Sequence, residues 1–460
     1  MRRVIILILL LLLMRLILPL GIEEGGPQSL LAFGFLILAA YSVGELAKQF
    51  GLPKVVGYLV AGLFFGPSVL AIVSEQVSEE LAPVGNLAIA LIAFLAGAEL
   101  RWAEVKENGT KILKILGSEL SISFVGIVTL LVVLRAFVPF LEDTTLVQAL
   151  ALAALFASIA IVHSPAVTLA LLTETGARGP VARTTLGVVL VADVAVILLF
   201  SGALAGARAV APAPGSAYTL SFGLVTWEIL GSILVGAALG GVIALYLRFV
   251  QRELVMFAIV VAFFGAEIAE LAHVETLLTL LTAGFVTENV SRGDAGEQLR
   301  RAMERSSAPV FVVFFALAGA KIAVVQVAAL WYVVLPIVAV RALGIRYGTT
   351  IGARWAGATP KEEKHVWMGL ISQAGVAIGL ASVVAEAYPQ RGPIIRDVML
   401  AVIAINETMG PILFRQALVR SGEVDPRPQS ELTRGTPGEG PGEGPGEAPG
   451  EAPGEAPDAA

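Results

Sequence analysis

Apolar runs of about 20 residues, the length that crosses a hydrocarbon core, recur along the chain. They lie at 4–20, 28–49, 54–73, 81–101, 111–139, 146–172, 181–207, 220–249, 254–271, 274–290, 307–326, 328–355, 366–387 and 394–417. The polar connections between them alternate in charge. One set carries Lys48 and Lys54, then Arg101, Lys106, Lys111 and Lys114, then Arg178 and Arg183, and later Arg248, Arg252, Arg292, Arg300, Arg301, Arg305, Arg354, Lys361 and Lys364. The other set carries Glu23, Glu24, Glu75, Glu79, Glu80, Glu142 and Asp143. By the positive-inside rule the basic connections face the cytoplasm, and with them the C-terminus. The pattern predicts an all-α polytopic protein of the inner (plasma) membrane, with thirteen transmembrane helices after an N-terminal hydrophobic segment. That segment, 1–20, reads either as a signal peptide, for its basic start, or as an extra helix, for the interruption at Arg15.

Composition agrees with a bilayer as solvent. The chain is 57% hydrophobic and 15% charged, with a mean hydropathy of +0.84. It has no cysteine and three histidines, which leaves no thiolate site and little material for a histidine metal centre. No phosphate loop or nucleophile constellation is present, and the connections are too short to build an active-site domain. No enzyme activity, resident cofactor or nucleic-acid partner is therefore expected. Part of the net charge of -6 comes from the tail, 421–460, whose Pro, Gly and Glu repeat cannot bury a core and is expected to be disordered.

The spacing contains a repeat. LAGAEL at 95–100 matches LAGAKI at 317–322, an offset of 222, and the same offset carries Ala61-Gly62 onto Ala283-Gly284. A second match sets ADVAVILLF at 192–200 against NETMGPILF at 406–414, an offset of 214, pairing Asp193 with Glu407 and Ser158 with Ser372. The number of intervening crossings gives the copies opposite orientations. Repeat one is placed at 28–207, a linking helix at 220–249 and repeat two at 254–417. Inverted repeats are the trace of many secondary transporters, whose sites lie near the midplane at broken helices.

Asp193 lies midway along its apolar run, where a carboxylate costs at least ~2.5–3.5 kcal/mol to place. It is expected to face a cavity or a partner. A carboxylate held between desolvation and a nearby cation can exchange a proton for a metal cation. Pro165, inside the run ASIAIVHSPAVTLALL at 157–172, frees a carbonyl one turn earlier. Such carbonyls, with the Ser164 hydroxyl, suit a small monovalent cation, making Asp193 and Ser164 its candidate ligands. His163 is a further candidate, more through its backbone than its ring. Lys321, in FFALAGAKIAVV, has two readings: an ion pair with Asp193 that a bound cation breaks, or snorkelling to the surface. Glu407 is singled out through its repeat relation to Asp193, while Glu99 reads as interfacial.

GLPKVVGYLVAGLFFGPSVL at 51–70, NLAIALIAFLAGAEL at 86–100, HSPAVTLALL at 163–172, the Asp193 run and SQAGVAIGLA at 372–381 together resemble the monovalent cation:proton antiporter superfamily, nearest to its Kef-like and bacterial sodium/proton exchanger members. The similarity spans about 28–417. It implies a thirteen-helix homodimer in which a core of crossed, discontinuous helices moves like an elevator against a dimerisation domain. It also implies that Asp193 carries either the proton or the cation, with oxygens near His163 and Ser164. Members of that superfamily commonly have Asp or Asn immediately before this aspartate; here the residue is Ala192. The expected function is exchange of Na⁺ or K⁺ for protons across a lipid bilayer. The alternatives are a sodium-coupled organic-anion symporter on the same scaffold and a gated K⁺ pathway.

Overall fold

The computed structural model describes residues 26–211, 222–249, 254–291, 295–322, 324–373 and 375–424. The N-terminal segment 1–20 lies outside these residues, as does all but the start of the 421–460 tail. Every long element among the described residues is an α-helix: α1 (Gly26–Gln49), α2 (Lys54–Phe65), α3 (Glu75–Glu80), α4 (Ala82–Ala98), α5 (Trp102–Val133), α6 (Leu146–Ala160), α7 (Pro165–Thr175), α8 (Pro180–Val210), α9 (Phe222–Phe249), α10 (Leu254–Leu271), α11 (Thr276–Val290), α12 (Ala295–Ala320), α13 (Val324–Ala329), α14 (Trp331–Ala356), α15 (Pro360–Gly369), α16 (Gly375–Ala387) and α17 (Gly392–Arg420). Among the described residues seven helices are long and apolar enough to cross a membrane.

Local chemistry sets the ends. α6 opens with a reciprocal cap, in which Thr145 accepts from the Gln148 backbone and the Gln148 side chain accepts from Thr145 N–H. α15 opens the same way through Thr359 and Glu362. The run expected at 54–73 is helical only to Phe65, because Gly66 and Pro67 follow and residues 66–73 return as a turn along the helix end. Two expected spans are interrupted. The run 146–172 is α6 and α7 separated by residues 161–164, with Ser164 capping α7 and Pro165 as its first residue. The run 366–387 lies on α15 and α16, whose separation includes Leu370, Ile371, Ser372 and Gln373.

Two groups of helices are locked internally in different ways. In the first, α2 crosses α12 and α4 crosses α11 through glycines pressed on backbone. A Cβ at Gly62 would stand 2.0 Å from the Ala316 carbonyl oxygen, and one at Gly284 2.0 Å from that of Phe94. At Gly97 the Leu281 oxygen would lie at 1.8 Å, and at Gly319 the Leu59 oxygen at 2.2 Å. Positions 62 and 284, 94 and 316, 59 and 281, and 97 and 319 are each 222 apart. The offset found in the sequence thus carries each helix crossing onto the other. In the second group, α14 runs close along α5, with Gly344 against Ser123 and Gly348 against Glu119. This group also contains the two interrupted helix pairs and, around an apolar core that includes Phe156, Val196, Phe200 and Val402, α8 and α17.

Candidate functional site

A helix break leaves carbonyls without N–H partners, and inside a bilayer these must find donors. Here the donors are side chains. Arg341, fully buried on α14, donates Nε to Ala160 O (2.6 Å), Nη2 to Val162 O (2.8 Å) and Nη1 to Ile371 O (2.7 Å). One guanidinium therefore ties both interruptions together, a task suited to its planar fork of five donors. Gln373 Nε2 adds a bond to Ala160 O at 2.8 Å, and Asn406 of α17 donates to Gln373 Oε1 at 2.8 Å. Of the carbonyls in this stretch expected to serve a cation, those of Ala160 and Val162 accept from these donors.

The His163 ring belongs to the same crossing. Nδ1 lies 2.7 Å from Leu370 O, and Nε2 lies 3.1 Å from Glu119 Oε2, with both side chains fully buried. A carbonyl only accepts, so Nδ1 is the donor there; the contact between Nε2 and Oε2 then requires a proton on one of the two. Ser123 donates to the other Glu119 oxygen at 2.8 Å. Glu119 and Arg341, of opposite charge, are 222 positions apart, the offset that relates the glycine crossings. The Ser164 hydroxyl accepts from Val167 N–H at 3.3 Å, capping α7.

Asp193 lies on α8, about 20 Å along it from Pro180 at 1.5 Å per residue. It is 6% exposed, and neither carboxylate oxygen has a hydrogen-bond partner among the described residues. It lines a small cavity with Glu275, Leu190, Val194, Ile197, Leu278 and Leu281. Glu275 also borders a larger cavity of about 650 Å³, as do Ile197, Leu277 and Val376. The walls of that cavity include His163, Ser164, Ser201, Glu267 and Glu270, and no Lys or Arg among its described residues. Glu407 on α17 is likewise buried, with Oε1 unpartnered.

The proposed ion pair between Lys321 and Asp193 is absent here. Lys321 stands exposed just past the end of α12, whereas Asp193 is buried on another helix. Glu99, read as interfacial, accepts from Arg300 at 2.9 Å. Among the described residues no group of three or more His, Cys, Asp or Glu side chains could hold a metal. Residues missed from sequence are Glu119, Arg341, Gln373, Asn406 and Glu275. Glu119 and Arg341 carried the signal that marked Asp193, a charge inside an apolar run. Glu275 lies at a run's edge, and only the fold brings it to Asp193.

Residues 34–415 match the family model described as "Sodium/hydrogen exchanger, transmembrane". The chain is 23% identical over 379 residues to the Na(+)/H(+)-K(+) antiporter GerN of Bacillus cereus, covering 80% of this chain and 90% of that one. It is also 23% identical over 360 residues to the probable Na(+)/H(+) antiporter GerT of the same organism, covering 75% and 88%. Among solved structures, the sodium proton antiporter MjNhaP1 from Methanocaldococcus jannaschii shares its fold, with a TM-score of 0.61 at 15% identity over 86% of this chain and 96% of that one. With a model that covers most of its length, the chain belongs to the sodium/hydrogen exchanger transmembrane family of cation:proton antiporters: multi-pass membrane transporters, not enzymes.

Proposed function

We propose that the protein exchanges Na⁺ or K⁺ for protons by alternating access, with Asp193 as the site that proton and cation occupy in turn. The carrying observation is the Asp193 carboxylate itself, buried at mid-span with both oxygens unpartnered. A bare charge in that position has nothing to offset its lost hydration, so the group is stable with a proton or with a bound cation. Each occupant then displaces the other, which couples the two fluxes. One carboxylate exchanging one proton for one monovalent cation moves no net charge, a stoichiometry that fits Ala192 in place of a second acid.

The acid-bearing cavity, without Lys or Arg on its described walls, favours a cation over an organic anion. K⁺ stands beside Na⁺ because the name of GerN includes both. Thirteen spans in two inverted repeats, an elevator motion, a homodimer, placement in the plasma membrane and a cytoplasmic C-terminus complete the reading. The glycine crossings related by 222 positions support the repeat. Ser164 and His163 contribute by shaping the wall beside the site, and Glu407 is the repeat-related acid that modulates it.

In proteoliposomes holding a pH gradient, Na⁺ or K⁺ should collapse the gradient through the wild-type protein and fail to do so through Asp193→Asn. Normal exchange by that variant would refute the assignment, and a current that scales with turnover would refute the electroneutral stoichiometry.

A further inference from the structure

Asp193 rides on α8, in the group of helices tied together at the Arg341 crossing. Glu275 precedes α11, in the group pinned by the glycine crossings. The two carboxylates therefore face each other across the boundary between two internally locked bodies, lining one small cavity and interacting electrostatically. Glu275 is also on the wall of the 650 Å³ cavity, which carries Glu267 and Glu270 from the end of α10. A cation entering the larger cavity thus meets Glu275 before Asp193.

Glu275 is held firmly. Its backbone N–H donates to Ser232 Oγ on α9 at 2.9 Å, its carbonyl accepts from Thr279 Oγ1 at 2.7 Å, and its carboxylate accepts from Leu278 N–H as the cap of α11. Capping by itself is served best by Ser, Thr, Asp or Asn. A glutamate in that position brings a longer arm and a charge that the cap does not need. Asp193 meanwhile is buried and unpartnered, and lines the small cavity that Glu275 also lines.

We propose that Glu275 is the second carboxylate of the transport site: it draws the monovalent cation from the acid-lined cavity and shares it with Asp193 when the two bodies stand as they do here. This rests on the antiport reading and extends it. It places the acid missing at position 192 on the opposite body, so the second carboxylate is present at one end of the motion and left behind at the other. The cation is then held by two carboxylates on the cavity side and by Asp193 without Glu275 on the opposite side.

The test is sided. In proteoliposomes of uniform protein orientation, proton movement is measured against Na⁺ and against K⁺ supplied to one face at a time. Glu275→Gln should raise KM from the cavity face by about tenfold or more while changing KM from the other face by less than about twofold, the signature of lost binding on one side. Glu275→Asp, which keeps charge and cap, should restore most of the cavity-face affinity; Glu275→Ser, which keeps a good cap without charge, should not. An unchanged cavity-face KM in Glu275→Gln, an equal rise on both faces, or rescue by Glu275→Ser would each overturn the proposal while leaving antiport at Asp193 intact. Absence of Na⁺- or K⁺-driven proton movement in the wild type would overturn both.

Discussion

Arg341→Met removes the guanidinium that joins the two helix interruptions and keeps a side chain of comparable length. Of its three acceptors, Ala160 O retains the Gln373 amide, while Val162 O and Ile371 O lose the arginine donor. Two orphaned buried carbonyls at about 1–3 kcal/mol each come to ~2–6 kcal/mol. Removing a buried cation recovers several kcal/mol of desolvation, an amount largely offset by losing the favourable electrostatic interaction of Arg341 with buried Glu119. The unmatched carbonyls therefore decide the sign. In a thermal scan of the purified protein in detergent, the apparent midpoint should fall on the order of 5 °C or more. Arg341→Lys should recover only part of the loss, because a single ammonium nitrogen cannot serve three carbonyls arranged around a fork. Gln373→Leu should cost more in the Arg341→Met background than alone, since both donors serve Ala160 O, with a coupling of about 0.5–3 kcal/mol. A midpoint for Arg341→Met within about 1 °C of wild type would show that the crossing does not depend on these bonds.

Other expectations are simpler. Gly62→Val and Gly284→Val should each destabilise the protein by about 1–3 kcal/mol or more, because a Cβ at either position stands 2.0 Å from a carbonyl oxygen. Gly109→Ala, with nothing within 4 Å, should be neutral or slightly stabilising, and equal effects at all three would refute the packing argument. At the start of α15, burial pushes the Glu362 carboxyl up, but hydrogen bonds from Lys111, Thr184 and Thr359 outweigh it and hold the group below its ordinary range. Its folded-state value being depressed, the stability it contributes is complete above about pH 4.3 and is lost as pH falls through the lower folded value. Thermal scans over that window should show a shallower acid limb in Glu362→Gln, and an unchanged limb would exclude the assignment. Since the chain has no cysteine, Ser201→Cys on the cavity wall offers a single thiol; it should react with a membrane-impermeant reagent from one face, and an inert thiol would mean the cavity is sealed.

The parts of this site that sequence reveals are those whose anomaly is local. Asp193 is visible because nothing within a helical turn offsets its charge, and the first interruption is visible because Pro165 cannot donate a hydrogen bond. The Gly62 and Gly284 relation is visible because it shares the offset of 222 with the LAGAEL and LAGAKI match. Arg341 satisfies the same local criterion, yet its role does not follow from its neighbours. Its acceptors are 181, 179 and 30 residues away, and the lost backbone donors at the breaks predict a need without naming its supplier. Lys321 is the reverse case: its helix position leaves an ion pair with Asp193 and exposure both open, and here it stands exposed. The apolar run at 54–73 outlasts its helix because residues 66–73, although apolar, pack back as a turn; hydropathy registers burial, not backbone direction.

The crossing at Arg341 bears on how the protein comes into being. Residues 119 and 163 leave the ribosome long before residue 341, and at about 5–20 residues per second the 178 positions after His163 take roughly 10–40 s to synthesise. Throughout that interval the first interruption sits in the nascent chain without its guanidinium. Insertion of the early helices is thus separated in time from completion of the core, and a chain stopped before α14 should be cleared by quality-control proteases rather than accumulate as a stable half.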